Sequence, residues 1–109
     1  MKIPLLAVAL LGILLQSAAA EEVFVKYHGN VKLDRFDCEE IARSSFVNRI
    51  CYDQRNSYML IQLQRTYYHY CGIPAGVVRQ LKAASSVGSY YNQQIKGSYD
   101  CRATAPPRY

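Results

Sequence analysis

The residues best equipped for chemistry form the run Tyr67-Tyr68-His69-Tyr70, in a chain with ten tyrosines and no tryptophan. On a β-strand alternate side chains face opposite sides, so Tyr68 and Tyr70 share one face while Tyr67 and His69 share the other. If the first pair packs beneath helices, the second lies on an open sheet face with Arg49, Gln62 and Tyr58. Rings, a guanidinium and amides held together in this way can stack a sugar ring or a base; aromatic stacking on a base contributes about 1–3 kcal/mol. The competing reading is structural: tyrosines form strands well, and their rings can seal a small core while the hydroxyls stay wet.

Catalysis would need a nucleophile beside a base. Ser44 and Ser45 offer hydroxyls, His69 a base, and Asp53 or Asp37 an orienting carboxylate. No G-x-S-x-G elbow is present, and no spacing brings the serines to His69. The two serines fit better as residues that bond the backbone between a short helix and a strand. No catalytic residue is assigned, and a small hydrolase using Ser45 and His69 remains the weakest of the functional readings. The cysteines Cys38, Cys51, Cys71 and Cys101 include no C-x-x-C pair, and His28 and His69 stand apart, so no zinc spacing appears. No metal or cofactor is expected.

Four cysteines in an exported chain point to two disulfides. The order along the chain favours Cys38 with Cys101 and Cys51 with Cys71. Against that stands a distance argument. If Cys51 and Cys71 lie on the first and third strands of a meander, about 10 Å separates their Cα atoms, whereas a disulfide needs under about 7 Å.

Export itself is read from the first 20 residues. Lys2 precedes the apolar run Ile3 to Leu15, and Gln16-Ser17-Ala18-Ala19-Ala20 supplies small residues at the spacing of a cleavage site. The run is shorter than the roughly 20 residues that span a bilayer. A signal peptide cleaved after Ala20 is expected, with no transmembrane anchor left and a secreted or periplasmic destination. Without Lys2 the formal charge falls from +5 to +4, a mild and dispersed excess rather than the block of charge that marks nucleic-acid tails. The product is large enough for one domain with one modest core.

The elements that must position these residues follow from periodicity. Val23–Tyr27 is β-rich and stops at the turn signal His28-Gly29-Asn30. Asp34 and Asp37 can cap a short helical turn over 38–43, with Glu39 and Glu40 placed for its dipole. Strands are predicted over 46–52, 58–64 and 67–71, and Met59, Ile61 and Leu63 mark the core face of the second. Pro74 starts a helix with apolar positions Val77, Val78, Leu81 and Ala84, and Ser85 or Ser86 caps another running to Lys96, before Gly97. The fold class is α+β: a three-stranded antiparallel meander with two C-terminal helices packed on one face, stapled by disulfides. The segments are 1–20 (export signal), 21–43 (extension with a strand and a short helix), 44–101 (domain) and 102–109 (frayed tail).

Taken together, Ser44-Ser45, Ile50-x-Tyr52-Asp53, Tyr68-x-Tyr70, Ile73-Pro74 and Ala84-x-Ser86-x-Gly88-x-Tyr90-Tyr91-Asn92-x-x-Ile95 resemble the KTSC domain, known as a C-terminal appendage of some lysyl-tRNA synthetases and as single-domain bacterial proteins. The resemblance runs from about Ser44 to Tyr99. It implies a compact module of three strands and two helices, with RNA binding suggested and no enzymatic activity to carry over. The chain departs from the family's pattern at Arg43, where an acidic residue is common, at Cys51, where a glycine is common, and at Cys71, where an apolar residue is common. The export signal, extension and cysteines belong to an exported branch. The leading functional expectation is therefore a non-enzymatic binding module for an envelope or extracellular, anionic ligand, using Tyr67, His69, Arg49 and Gln62. The second is a single-stranded RNA binder using Tyr68, Tyr70 and nearby arginines.

Overall fold

The computed structural model describes residues 20–109; the expected signal peptide lies almost wholly outside them. The strands are β1 (Glu22–Val25), β2 (Gly29–Lys32), β3 (Asp37–Glu40), β4 (Val47–Asp53), β5 (Tyr58–Leu63) and β6 (Thr66–Cys71). Two helices follow, α1 (Ala75–Ala83) and α2 (Val87–Tyr90), the latter widening into a π-helical turn over Tyr91–Ile95. Among the described residues no helix is long and apolar enough to cross a membrane.

The meander β4-β5-β6 forms as its alternation predicts, in antiparallel register with Tyr52 opposite Met59 and Met59 opposite Tyr70. It is the centre of a larger sheet. The full order is β2-β1-β6-β5-β4-β3, six strands rather than three, and it is mixed because β1 runs parallel to β6.

One face carries Ile50, Tyr52, Met59, Ile61 and Tyr70 against Val78 and Leu81 of α1 and Val87, Tyr91 and Ile95 of the second helical segment. Tyr52 Oη donates to the Ile73 carbonyl at 2.7 Å, and the hydroxyls of Tyr70 and Tyr91 meet at 2.6 Å. Their rings thus enter the core without leaving a polar atom unmade. α1 begins after Pro74, whose missing N–H costs nothing there. Ser86 Oγ caps α2 by accepting from Ser89 N at 3.1 Å. At Gly88 the helix comes so close to Phe46, the residue before β4, that a Cβ would sit 2.6 Å from its ring.

The opposite face is not open. Cys51, Tyr58, Leu60, Tyr67 and Cys71 pack there against Val25, Val31 and Leu33 in a second core. The β1-β2 hairpin curls over this face, and Tyr58 and Leu60 are fully buried. The helical turn expected over 38–43 is instead β3, with Cys38 directly opposite Cys51. Cys38 and Glu40 share one face of β3, opposite Cys51 and Arg49, and Glu39 takes the other; exposed carboxylates at this sheet edge discourage further strand pairing.

This register also corrects the disulfides. They are Cys38–Cys51, with Cα atoms 4.0 Å apart, and Cys71–Cys101, at 4.9 Å. Pairing Cys51 with Cys71 is ruled out by the distance argument, since β5 does lie between their strands. Both bridges tie a flanking segment to the meander: β3 to β4, and the C-terminal tail to β6.

Candidate functional site

The predicted platform is the place to begin. Tyr67 is 9% exposed, within the second core. Arg49 lies between two carboxylates, with Glu21 at 2.7 Å and Glu40 at 2.7 Å, and also donates to Tyr67 Oη at 3.1 Å. The bonds to Glu21 and Tyr67 push the guanidinium pKa up, and the same pair holds the Glu21 carboxyl below its usual range. Arg49 is thus a clamp between the start of β1, β3 and β4, with its charge already matched. Gln62, half-buried, pairs with Tyr67 and Arg49 across β5. Of the expected open surface only His69 reaches a cleft, on the far side of β6.

That cleft arises from the way β1 meets β6. The two strands pair only at Val25 and Tyr67, where Lys26 N donates to the Tyr67 carbonyl at 2.9 Å. The chain then turns away: His28 N donates to the Val25 carbonyl, and Tyr27 takes a left-handed φ of 68°. Farther along β6, Cys71 N donates to the Tyr99 carbonyl at 2.9 Å. Strand alternation turns the main-chain groups of Tyr67, His69 and Cys71 toward this edge. Those of His69, between the two anchors, therefore face a gap in which no backbone partner stands among the described residues.

The gap is a groove of about 760 Å³, walled by Lys26 to His28, by Tyr68 to Tyr70 and by the tail from Gly97 to Arg102 with Pro106. Tyr27 is 85% exposed, and a bulky residue at positive φ is uncommon and worth a functional question. The Lys26 ammonium lies 5.2 Å from the Tyr27 ring centre and 5.8 Å from that of Tyr68, within cation–π range. His28 and His69 face one another with ring centres 5.0 Å apart. His69 Nδ1 meets the Tyr58 hydroxyl at 2.9 Å. Burial first, and then His28, lower the His69 pKa, while Asp100 opposes them. Asp100 is itself held ionised by its bonds from Arg102.

Ser44 Oγ accepts from Phe46 N and Val47 N, at 3.3 and 3.0 Å, which is the backbone role expected of it. Ser45 borders a separate depression by the β5-β6 turn. Across two strand spacings and several residues it lies on the order of 15 Å from His69, too far for a direct hydrogen bond. Asp53 is buried and accepts from Tyr109 Oη at 2.7 Å, Asn56 Nδ2 at 2.7 Å and Arg55 N at 3.1 Å. Burial raises its pKa, but these bonds outweigh it and the net shift is downward. Asp53 anchors the tail and does not orient a catalytic base. No group of three or more histidine, cysteine or acidic side chains is arranged for a metal among the described residues.

Sequence reasoning missed Lys26, Tyr27 and Tyr99. The turn signal at His28-Gly29-Asn30 marks where the hairpin bends, but its meeting with β6 depends on a parallel pairing that no local pattern announces.

Comparison with known proteins places this architecture. The KTSC domain matches residues 43–99, more than half of the 109. The chain belongs to the KTSC domain family. The crystal structure of a KTSC domain protein from Yersinia pestis is similar at a TM-score of 0.56 and 27% identity, covering 60% of this chain and 92% of that one. No curated protein matches significantly. The KTSC domain holds β4 to α2 and most of the helix-side core, whereas β1 to β3 and the tail after Tyr99 lie outside the matched residues. The groove is therefore composite. Tyr68, His69 and Tyr70 come from the KTSC domain; Lys26, Tyr27, His28 and Arg102 come from the flanking segments.

Proposed function

We propose that this chain is an exported, disulfide-stapled module that binds rather than transforms its ligand, and that the ligand is a short anionic oligosaccharide held in the groove. The observation that carries the reading is the ring of Tyr27, exposed at positive φ beside the Lys26 ammonium and facing the same groove as Tyr68 and His69. A flat apolar ring stacks on a sugar face, while ammonium, imidazole and guanidinium groups receive its carboxylate or sulfate oxygens.

Both disulfides leave no free thiol, which suits an oxidising compartment and supports the expected signal peptide. The groove has room for a few rings, and its permanent charges are Lys26 and Arg102 against Asp100. That is a local excess rather than the long basic stripe that tracks a nucleic-acid backbone.

Single-stranded RNA is the second reading, favoured by the same stacking of an exposed tyrosine with a cation. Isothermal titration of the oxidised protein with tetragalacturonate and with an octamer of uridylate, each at low and high salt, separates the two. The proposal expects uronate binding that Tyr27→Ala weakens by roughly 10-fold. Tighter RNA binding with a steep salt slope would favour the second reading, and no binding of either would refute both.

A further inference from the structure

The Tyr58 hydroxyl lies in a fully buried residue, and His69 Nδ1 is its hydrogen-bond partner at 2.9 Å. A buried phenol that does not donate leaves a polar hydrogen unmade, at a cost larger than that of an ordinary lost bond. Tyr58 must therefore be the donor and Nδ1 the acceptor. A neutral imidazole carries one proton, so that proton sits on Nε2.

Nε2 has no protein partner among the described residues, yet it is not among the buried atoms that lack one. It meets solvent, and the solvent-filled space that His69 borders is the groove. The edge-on contact of the Tyr58 and His69 rings, with centres 5.8 Å apart, fixes the imidazole plane.

We infer that Tyr58 is a positioning residue that holds His69 as the neutral Nε2–H tautomer, so that the groove presents a fixed donor for an acceptor oxygen of an anionic ligand. This rests on the reading of the groove as the ligand site and specifies what is recognised there. The assignment removes two other roles from His69. With Nδ1 engaged and Nε2 protonated it has no free lone pair, so it neither takes a proton from a ligand nor ligates a cation.

The surroundings agree. The groups facing His69 are His28 and Lys26 from the first hairpin, Tyr58 from β5, and Asp100 and Arg102 from the tail, with Tyr68 and Tyr70 beside it on β6. Protonating Nδ1 would turn Tyr58 from donor to acceptor and strand its hydrogen in the core, while His28 adds repulsion. Asp100 alone favours the charged form, and Arg102 donates to both of its oxygens. Acidification should therefore charge His69 only below the ordinary histidine range.

Long-range proton–nitrogen NMR of the oxidised protein, followed from about pH 8 to about pH 5, reads tautomer and titration of each histidine directly. The expected result is an Nε2–H tautomer for His69 at neutral pH and a His69 midpoint below the ordinary value of about 6.5. Tyr58→Phe removes one oxygen and should give a mixture of tautomers with the His69 midpoint moved up toward the ordinary value of about 6.5. An Nδ1–H tautomer in the unaltered protein would overturn the inference even if the variant does not fold, as would a folded Tyr58→Phe protein with an unchanged His69 spectrum. Titration with tetragalacturonate keeps the two levels apart. If the uronate fails to bind, the groove reading falls while the tautomer still decides the role of Tyr58; if it binds to a protein with Nδ1–H, only the role of Tyr58 falls.

Discussion

At the scale of single residues, the same side-chain type does opposite jobs according to which core it meets. Tyr58, Tyr67 and Tyr70 are buried, whereas Tyr27 projects into solvent, and composition alone cannot sort them. Alternation does so partly: it separates Tyr68 and Tyr70 from Tyr67 and His69, as observed, but it cannot tell whether the second face is covered. Arg49, expected as a binding cation, is instead consumed by Glu21 and Glu40, partners whose approach depends on a curled sheet. Tyr109 supplies a test of such local chemistry. Its ring lies 4.9 Å from Phe36 and stacks over Tyr58, and its hydroxyl donates to buried Asp53. Tyr109→Phe should lower stability by about 1 kcal/mol, measured by urea unfolding. The Asp53 pKa is depressed, so the stability it adds is full above the unfolded value of about 3.9 and is lost as pH falls through the folded value. Losing the Tyr109 bond raises the folded value, so the acid-unfolding midpoint of the variant should move to higher pH.

At the scale of elements, the strands β4 to β6 and the helix starts at Pro74 and Ser86 were legible because each rests on local signals: alternation, turn residues and caps. β3 was misread as a helical turn. Asp37, Glu39 and Glu40 are good first-turn residues by their charge, and only the pairing of Cys38 with Cys51 on a neighbouring strand decides for extended backbone. The second helical segment reaches Ile95, as its apolar period implies, but widens into a π turn after Tyr90, with Lys96 N donating to the Tyr91 carbonyl. Its approach to Phe46 is equally specific. Gly88→Ala must displace the Phe46 ring and should cost about 1–3 kcal/mol, read as a shift in the denaturant midpoint. The disulfides belong to this scale too. On the chain-entropy view, closing 13 residues is worth about 3 kcal/mol and closing 30 about 4. Replacing Cys71 and Cys101 by serine should therefore destabilise more than replacing Cys38 and Cys51, and should also loosen the tail wall of the groove.

At the scale of the whole molecule, a KTSC domain has been given a second core by segments that lie outside it. The sequence showed the family and the central meander. It did not show that β1, β2 and the tail would close the other face, because Val25, Val31 and Leu33 form no periodic run long enough to demand a partner. A fragment limited to 43–99 should accordingly expose Tyr58, Leu60 and Tyr67, bind a hydrophobic dye and associate, which light scattering would detect. The groove exists only where domain and flanking segments meet, so the central claim is one of location. The most direct measurement is NMR chemical-shift mapping of the oxidised, full-length fold titrated with tetragalacturonate. The account predicts shifts confined to Lys26, Tyr27, His28, Tyr68, His69 and Arg102, with the surfaces around Ser45 and α1 unmoved. Shifts centred on those other surfaces, or none at saturating ligand, would contradict it.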